Sequence, residues 1–374
     1  MEPCEVPLAA PPTQGIKYAG SKLKLLPQIL ALISKLKPKT VLDGFSGTTR
    51  VSQALAQCGY KVHANDRAAW SKTFATCYLL NTRPAKHYAP IIEHLNALPP
   101  RDGWFTENYG GNGDVEISFG ADGLKKPWQL HNTRKLDAMR EEIDQLSLSQ
   151  EERAVLLTSL MLALEEVDST LGHYAAYLSK WSKRSYRRLH LRVPELLTDR
   201  GEQHEVYQRD IFDLLPELQV DLAYFDPPYG SNNDKMPPSR VRYQAYYHVW
   251  TSVCLNDKPE LFGKSRRRMD SSDRYDLCPF EDFRRGADGR FVALSAIDRL
   301  LRETNAAYIV LSYSSGGRAT AQELHEVMAK HGTVVEVLEV AYRRNVMADM
   351  RWTHDWVRDS EEPNREFLLV LEKK

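Results

Sequence analysis

Leu222-Ala223-Tyr224-Phe225-Asp226-Pro227-Pro228-Tyr229-Gly230 is the stretch on which the fold turns. The apolar run Leu222 to Phe225 reads as a buried strand. Two consecutive prolines neither donate to a ladder nor continue a helix, so the strand stops at Asp226. The chain then presents a carboxylate, rigid prolyl carbonyls and an aromatic ring at a strand's end. In open α/β sheets that is where ligands bind.

The groups suit an aromatic amine such as N6 of adenine. Its lone pair is delocalised into the ring, which makes it a poor nucleophile. Asp226 and a carbonyl of the Asp-Pro-Pro turn can accept from its two N–H groups. Acceptors placed out of the ring plane localise the lone pair for attack, a preorganised electrostatic effect. Pro227 and Pro228 supply carbonyls without competing donors, and Tyr229 can stack on a base. The other reading of these residues alone is a strand followed by a Pro-Pro turn, with Asp226 a satisfied turn carboxylate.

Length and charge bound the partners. The 374 residues can bury at least one large core and can hold two units. Lysine plus arginine equals aspartate plus glutamate, 50 against 50, so any argument for a polyanion must be local. Five cysteines, at 4, 58, 77, 254 and 278, form no CxxC pair. That argues against zinc or a disulfide framework and for a reducing compartment. No apolar run reaches membrane-spanning length. Residues 1–15 read as a disordered leader without a signal-peptide pattern.

Upstream, Lys17-Tyr18-Ala19-Gly20-Ser21-Lys22 precedes a helical apolar face of Leu23, Leu26, Ile29, Leu30, Ile33 and Leu36. Thr40–Phe45 reads as a strand that runs into Gly44-Phe45-Ser46-Gly47-Thr48-Thr49. A helix through Val51, Ala54 and Leu55 stops at Gly59. A second strand over 61–64 ends at Asn65-Asp66. Gly47 to Asp66 spans one βαβ unit, in which glycines admit a ligand to the backbone and an acid about 20 positions on takes ribose hydroxyls. An ordinary β-turn-α unit with Asp66 as a helix cap fits the same letters.

Helices are expected over 134–146 and 151–168, the second with Leu156, Leu157, Leu160, Met161 and Leu164 inward. The segment 172–188 follows, in which Tyr174, Tyr177, Trp181 and Tyr186 interleave with Lys180, Lys183, Arg184, Arg187 and Arg188. Cations for phosphates and rings for bases are a nucleic-acid footprint; a solvated basic face with Trp181 partly buried is the alternative. Residues 230–290 read as a long polar insertion, a lid or a mobile loop. Strands at 205–208, 307–313, 334–340 and 366–371, with helices at 291–304 and 319–330, complete the pattern.

In this order the pieces resemble the adenine-specific, S-adenosylmethionine-dependent DNA methyltransferases of the Dam-like (D12) class. The resemblance rests on KYAGSK (17–22), DGFSGT (43–48), the acid at 66, DPPYG (226–230), Tyr342-Arg343-Arg344-Asn345 and the final REFLLVLEK (365–373). It implies an α/β, Rossmann-like methyltransferase sheet, mixed and seven-stranded, with a mostly helical target-recognition insertion. The catalytic domain would comprise 16–84 and 205–374, and the insertion 85–204. Carried over by position, Tyr18, Gly20 and Lys22 would line the cofactor pocket, with Lys22 near the methionyl carboxylate. Asp43, Phe45, Ser46, Gly47 and Thr48 would surround the cofactor, Asp66 would take its ribose hydroxyls, and Asp210 and Asp226 would approach it. Asp226, Pro227, Pro228 and Tyr229 would hold an everted target base. Where Thr49 stands the family usually has glycine, which predicts slightly looser helix packing.

The resemblance implies double-stranded DNA as substrate, no metal, no membrane and a cytoplasmic place in a bacterium or a phage-infected cell. It leaves room for a cognate restriction enzyme as partner. Two other readings stay open: an RNA adenine methyltransferase on the same fold, and a non-catalytic DNA-binding protein on a methyltransferase scaffold. Asparagine at the first motif position marks relatives that methylate protein glutamine, and Asp226 argues against that acceptor.

Overall fold

The computed structural model describes residues 9–197, 203–230, 242–272, 278–341 and 365–374. Residues 231–241 and 273–277 of the expected insertion and Tyr342-Arg343-Arg344-Asn345 lie outside the described residues. Seven strands form one sheet: β1 (Thr40–Asp43), β2 (Lys61–Asn65), β3 (Glu205–Tyr207), β4 (Gln219–Phe225), β5 (Asn305–Ser314), β6 (Gly332–Ala341) and β7 (Arg365–Lys373). Their order is β3-β2-β1-β4-β5-β7-β6. The β1–β4, β2–β3 and β4–β5 pairs are parallel, whereas β7 runs antiparallel to both β5 and β6. The sheet is thus mixed and seven-stranded, as the sequence predicts. The helices are α1 (Leu26–Leu36), α2 (Arg50–Gln57), α3 (Ala69–Ala75), α4 (Ala85–Ala97), α5 (Trp104–Tyr109), α6 (Leu130–Gln145), α7 (Gln150–Glu166), α8 (Ile211–Leu214), α9 (Tyr243–Tyr246), α10 (His248–Leu255), α11 (Ala293–Glu303) and α12 (Ala321–Ala329).

The chain divides into two compact units. One comprises 1–30, 46–208 and 243–275; the other comprises 31–45, 209–242 and 276–374. In the first, α7 begins with a complete capping box: Ser149 accepts from the Glu152 N–H, and Glu152 accepts from the Ser149 N–H. The apolar face expected of this helix, Leu156 to Leu164, is buried in one core with Trp70, Phe74, Cys77 and Tyr78. Segment 85–204 therefore packs as part of a larger body that includes 68–80, because the α7 stripe is covered by residues before position 85.

Two further expectations differ. The sequence places residues 12–15 in a disordered leader, yet Arg50 donates to the carbonyls of Thr13 and Gly15, and Gln53 exchanges hydrogen bonds with Gln14. The expected insertion 230–290 holds α9 and α10, and Tyr247, Val249, Trp250 and Val253 of that stretch are core residues. Only part of it is loop, because its apolar positions have helical spacing within an otherwise polar composition.

In the second unit, Leu222, Ala223 and Phe225 of β4 and Ile309 to Leu311 of β5 are fully buried. Leu222 pairs with Tyr308 and Phe225 with Leu311, so β5 runs three residues past the end of β4, to Ser314. The Asp-Pro-Pro-Tyr turn leaves the sheet at the end of β4, beside the loop that follows Ser314.

Candidate active site

In the first unit the turn before α2 is built on a glycine and a carboxylate. Gly47 has φ +47°, a left-handed conformation that favours glycine. Its N–H donates to Asp66 Oδ2 at 2.9 Å, and the Ala68 N–H donates to Oδ1 at 2.9 Å. Burial raises the Asp66 carboxyl above its usual range, opposed by the amides of Ala68, Gly47 and Arg67. A carboxylate has about four acceptor sites, so capacity remains after these three amides. Ser46 Oγ lies 3.0 Å from Ser71 Oγ, and the Ser46 N–H donates to the Asn65 carbonyl. Thr48 is buried.

Thr49 adopts φ +60° at the start of α2. A β-branched residue in this region is strained. Its hydroxyl donates to the Thr48 carbonyl at 2.8 Å and accepts from Gln53 Nε2 at 3.0 Å. Looser packing is the sequence expectation; here Thr49 is fully buried and its side chain is held at both ends. What glycine would provide at this position is the left-handed backbone.

Tyr18 lies next to Gly47. A Cβ added at Gly47 would stand 3.4 Å from the Tyr18 ring, so a side chain there would fill that space. The ring stacks on Tyr247, with centroids 4.7 Å apart, and tilts against Tyr243 and Trp70. The Ala19 N–H donates to Tyr247 Oη at 2.7 Å. Gly20 has φ +81°, and buried Lys22 sends Nζ back to the Gly20 carbonyl at 3.3 Å. Tyr243 and Tyr247, which motif reading misses, pack on the Tyr18 ring. Their signal is the run Tyr243-Gln244-Ala245-Tyr246-Tyr247, with two rings at i and i+4.

In the second unit Asp43 is buried at the end of β1, and the Gly44 N–H donates to the Tyr224 carbonyl at 3.0 Å. A Cβ at Gly44 would come within 2.6 Å of the Phe225 ring, so the turn passes directly over β4. Phe45 meets Phe280 edge-on at 5.2 Å, and Phe280 stacks on Phe212 at 5.6 Å. Asp210 caps α8 by accepting from the Phe212 N–H at 3.0 Å. Asp226 and Tyr229 are partly buried, Pro227 is buried, and Tyr229 leans on Tyr313 at 5.3 Å. The structure places Asp226 to Tyr229 together at the C-terminal end of β4, and Tyr18, Gly20, Lys22, Ser46, Gly47, Thr48 and Asp66 together in the first unit.

The basic segment divides into anchored and free-standing residues. Tyr174 and Trp181 are core residues, and Trp181 Nε1 donates to the Asn112 carbonyl. Arg184 ion-pairs with buried Asp168 and donates to the carbonyls of Asp168 and Thr170. Lys180 is exposed and pairs with exposed Glu116. Lys183, Tyr186, Arg187 and Arg188 are exposed. Burial lifts Asp168 to about 6 against the pull of Arg184, and lifts Glu165, which accepts from the Lys17 N–H, to about 7.

Among the described residues no cluster of three His, Cys, Asp or Glu side chains is placed to hold a metal ion, and no helix is long and apolar enough to cross a membrane.

A sheet ordered β3-β2-β1-β4-β5-β7-β6, a glycine turn after β1, an acid after β2 and Asp-Pro-Pro-Tyr after β4 define an α/β methyltransferase. The family described as D12 class N6 adenine-specific DNA methyltransferase matches residues 18–276. The chain belongs to that family, whose members act on N6 of adenine in DNA. It is 26% identical to Modification methylase StsI of Streptococcus sanguinis, over 88% of this chain and 48% of that protein. It is 27% identical to Type II methyltransferase M.NlaIII of Neisseria lactamica, over 96% of this chain and 99% of that protein. Type II methyltransferase M.FokI of Planomicrobium okeanokoites is 25% identical, over 88% of this chain and 49% of that protein. The chain thus spans about half the length of two of these relatives and nearly all of the third.

Proposed function

We propose that this chain transfers a methyl group from S-adenosylmethionine to N6 of an everted adenine at a specific site in duplex DNA. The observation that carries the reading is Asp226-Pro227-Pro228-Tyr229 at the buried end of β4 in a chain of this family. In the first unit, Tyr18, Gly20, Lys22, Ser46, Gly47 and Thr48 hold the cofactor, and Asp66 accepts from its ribose hydroxyls. The residues fit that role: Gly47 leaves room against Tyr18, and Asp66 keeps acceptor capacity beyond its amide partners. When bound, the cofactor supplies an electrophilic methyl on a sulfonium leaving group.

The chain's own residues do the rest. Asp226 and a carbonyl of the turn accept from the two N–H groups of the target amine. That orients the nitrogen lone pair and disperses positive charge as it develops. Tyr229 stacks on the everted base, which offsets part of the few kcal/mol needed to unstack it. Positioning supplies much of the rate. Lys180, Lys183, Arg187 and Arg188 contact phosphates, whereas Arg184 orders the segment that carries them. Exposed Val115, Ile117 and Phe119 adjoin this surface, since Ile117 bridges Lys180, and such side chains suit thymine methyl groups. The setting proposed is bacterial or phage-encoded restriction-modification in the cytoplasm, with a cognate endonuclease as partner.

Incubation with methyl-labelled S-adenosylmethionine and separate DNA, RNA and protein acceptors tests the reading. Label is expected in N6-methyladenine from digested duplex DNA. Label confined to RNA or protein would overturn the substrate, and label in cytosine would overturn the base.

A further inference from the structure

We propose that Arg318 is a positioning residue for the turn 226–230, acting through Tyr229 and Gly230. The inference rests on the reading above, because what it positions is the turn that grips the base.

Pro227 and Pro228 have no N–H, so the turn has two fewer donors with which to brace itself. The bracing contacts come from the loop after β5. The Arg318 N–H donates to the Tyr229 carbonyl at 3.1 Å. The guanidinium of the same residue lies over Gly230. A Cβ at Gly230 would overlap Nε and stand 3.0 Å from Cζ, and Gly230 has φ +57°. Arg318 is 7% exposed. Its Cζ lies 5.3 Å from the centroid of Phe291, a ring that also carries the Arg285 guanidinium at 3.9 Å. The loop holds the Tyr229 side chain as well. Tyr229 rests on Tyr313, whose hydroxyl accepts from the Ala319 N–H at 3.3 Å. A Cβ at Gly317 would stand 3.0 Å from Tyr229 Cβ.

Arg318 thus closes over the turn from the side of its last residue, and its planar head fixes the space that Gly230 leaves open. An alanine at 318 keeps the N–H that holds the Tyr229 carbonyl but opens that space, so Gly230 and the end of the turn lose the head that fixes them. The cofactor residues of the first unit are not among these contacts. The loss therefore falls on turnover and not on cofactor affinity. Lysine keeps the charge but not the flat head.

The test uses plasmid DNA and tritiated S-adenosylmethionine with wild type, R318A, R318K, G230A and the double variant R318A/G230A. In R318A, kcat is expected to fall at least tenfold while the cofactor dissociation constant stays within twofold. R318K is expected to lie between R318A and wild type. G230A is expected to lower kcat by a factor at least tenfold smaller in the R318A background than in wild type, since the colliding head is gone and only the left-handed strain remains. Equal factors in both backgrounds would overturn the proposal, as would wild-type kcat in R318A. Where R318A does not fold, R318K decides: reduced kcat with intact cofactor affinity supports the proposal, and wild-type kcat overturns it. Failure of the parent reading is separate, since wild type would then put no label into DNA.

Discussion

At the scale of single residues, a half-buried carboxylate, Glu165, lies against Lys17. Glu165 accepts from the Lys17 N–H, and burial raises its carboxyl from 4.5 to about 7. A carboxyl raised on folding has a definite linkage sign. Below pH 4.5 both states are protonated and the group contributes nothing. From 4.5 to 7 the folded state binds a proton that the unfolded state has released, so stability falls as pH rises. Above 7 the whole penalty stands, at most about 3 kcal/mol. Glu165→Gln keeps an acceptor for Lys17 and removes the charge. It should therefore stabilise the protein at pH 8, with the gain shrinking toward pH 5 in urea unfolding. A gain independent of pH would exclude the linkage. Arg184 is a second case. Its loss strands Asp168 in the interior, so Arg184→Ala should cost about 3–5 kcal/mol of stability.

At the scale of elements, legibility in the sequence followed the strength of the local pattern. The strands 40–43, 61–65 and 219–225 are bounded by glycine, acid or proline, and the sequence places each within two or three residues. The α7 stripe spans several turns and is equally plain. α9 and α10 were not legible, because they sit in a stretch rich in arginine, aspartate and serine, and an eight-residue helix gives little periodicity. The fate of Trp181 and Tyr174 was hidden for a related reason. Rings among lysines and arginines read alike whether they face bases or the core, and only tertiary packing decides. Tyr18 was legible from its motif, but its stack on Tyr247 depends on a contact between residues 229 positions apart. α10 carries one clear prediction. Trp250 is 1% exposed and packs on Tyr174 and Trp128. Trp250→Ala should cost about 3–5 kcal/mol in urea unfolding. A change below about 1 kcal/mol would place α10 outside the core.

At the scale of the whole molecule, a chain with 50 basic and 50 acidic residues meets a polyanion through a local surface. Replacing Lys183, Arg187 and Arg188 together by Ala should weaken duplex binding and reduce the slope of log K against log salt by up to about 3. An unchanged slope would move the DNA surface away from 183–188. The fold class was largely legible because strands alternate with helices along the chain and two closing strands follow. The reaction was legible through the family resemblance, which the ordered motifs at 17–22, 43–48, 66 and 226–230 carry together; Asp226-Pro227-Pro228-Tyr229 alone also reads as a strand and a turn. The central claim is that Asp226 acts on the amine and not on the cofactor's hold. Measuring cofactor binding by calorimetry and methyl transfer to plasmid DNA for Asp226→Ala beside wild type tests it most directly. A dissociation constant for S-adenosylmethionine within a few-fold of wild type and no detectable N6-methyladenine are expected; near-normal turnover in the variant would contradict that role for Asp226.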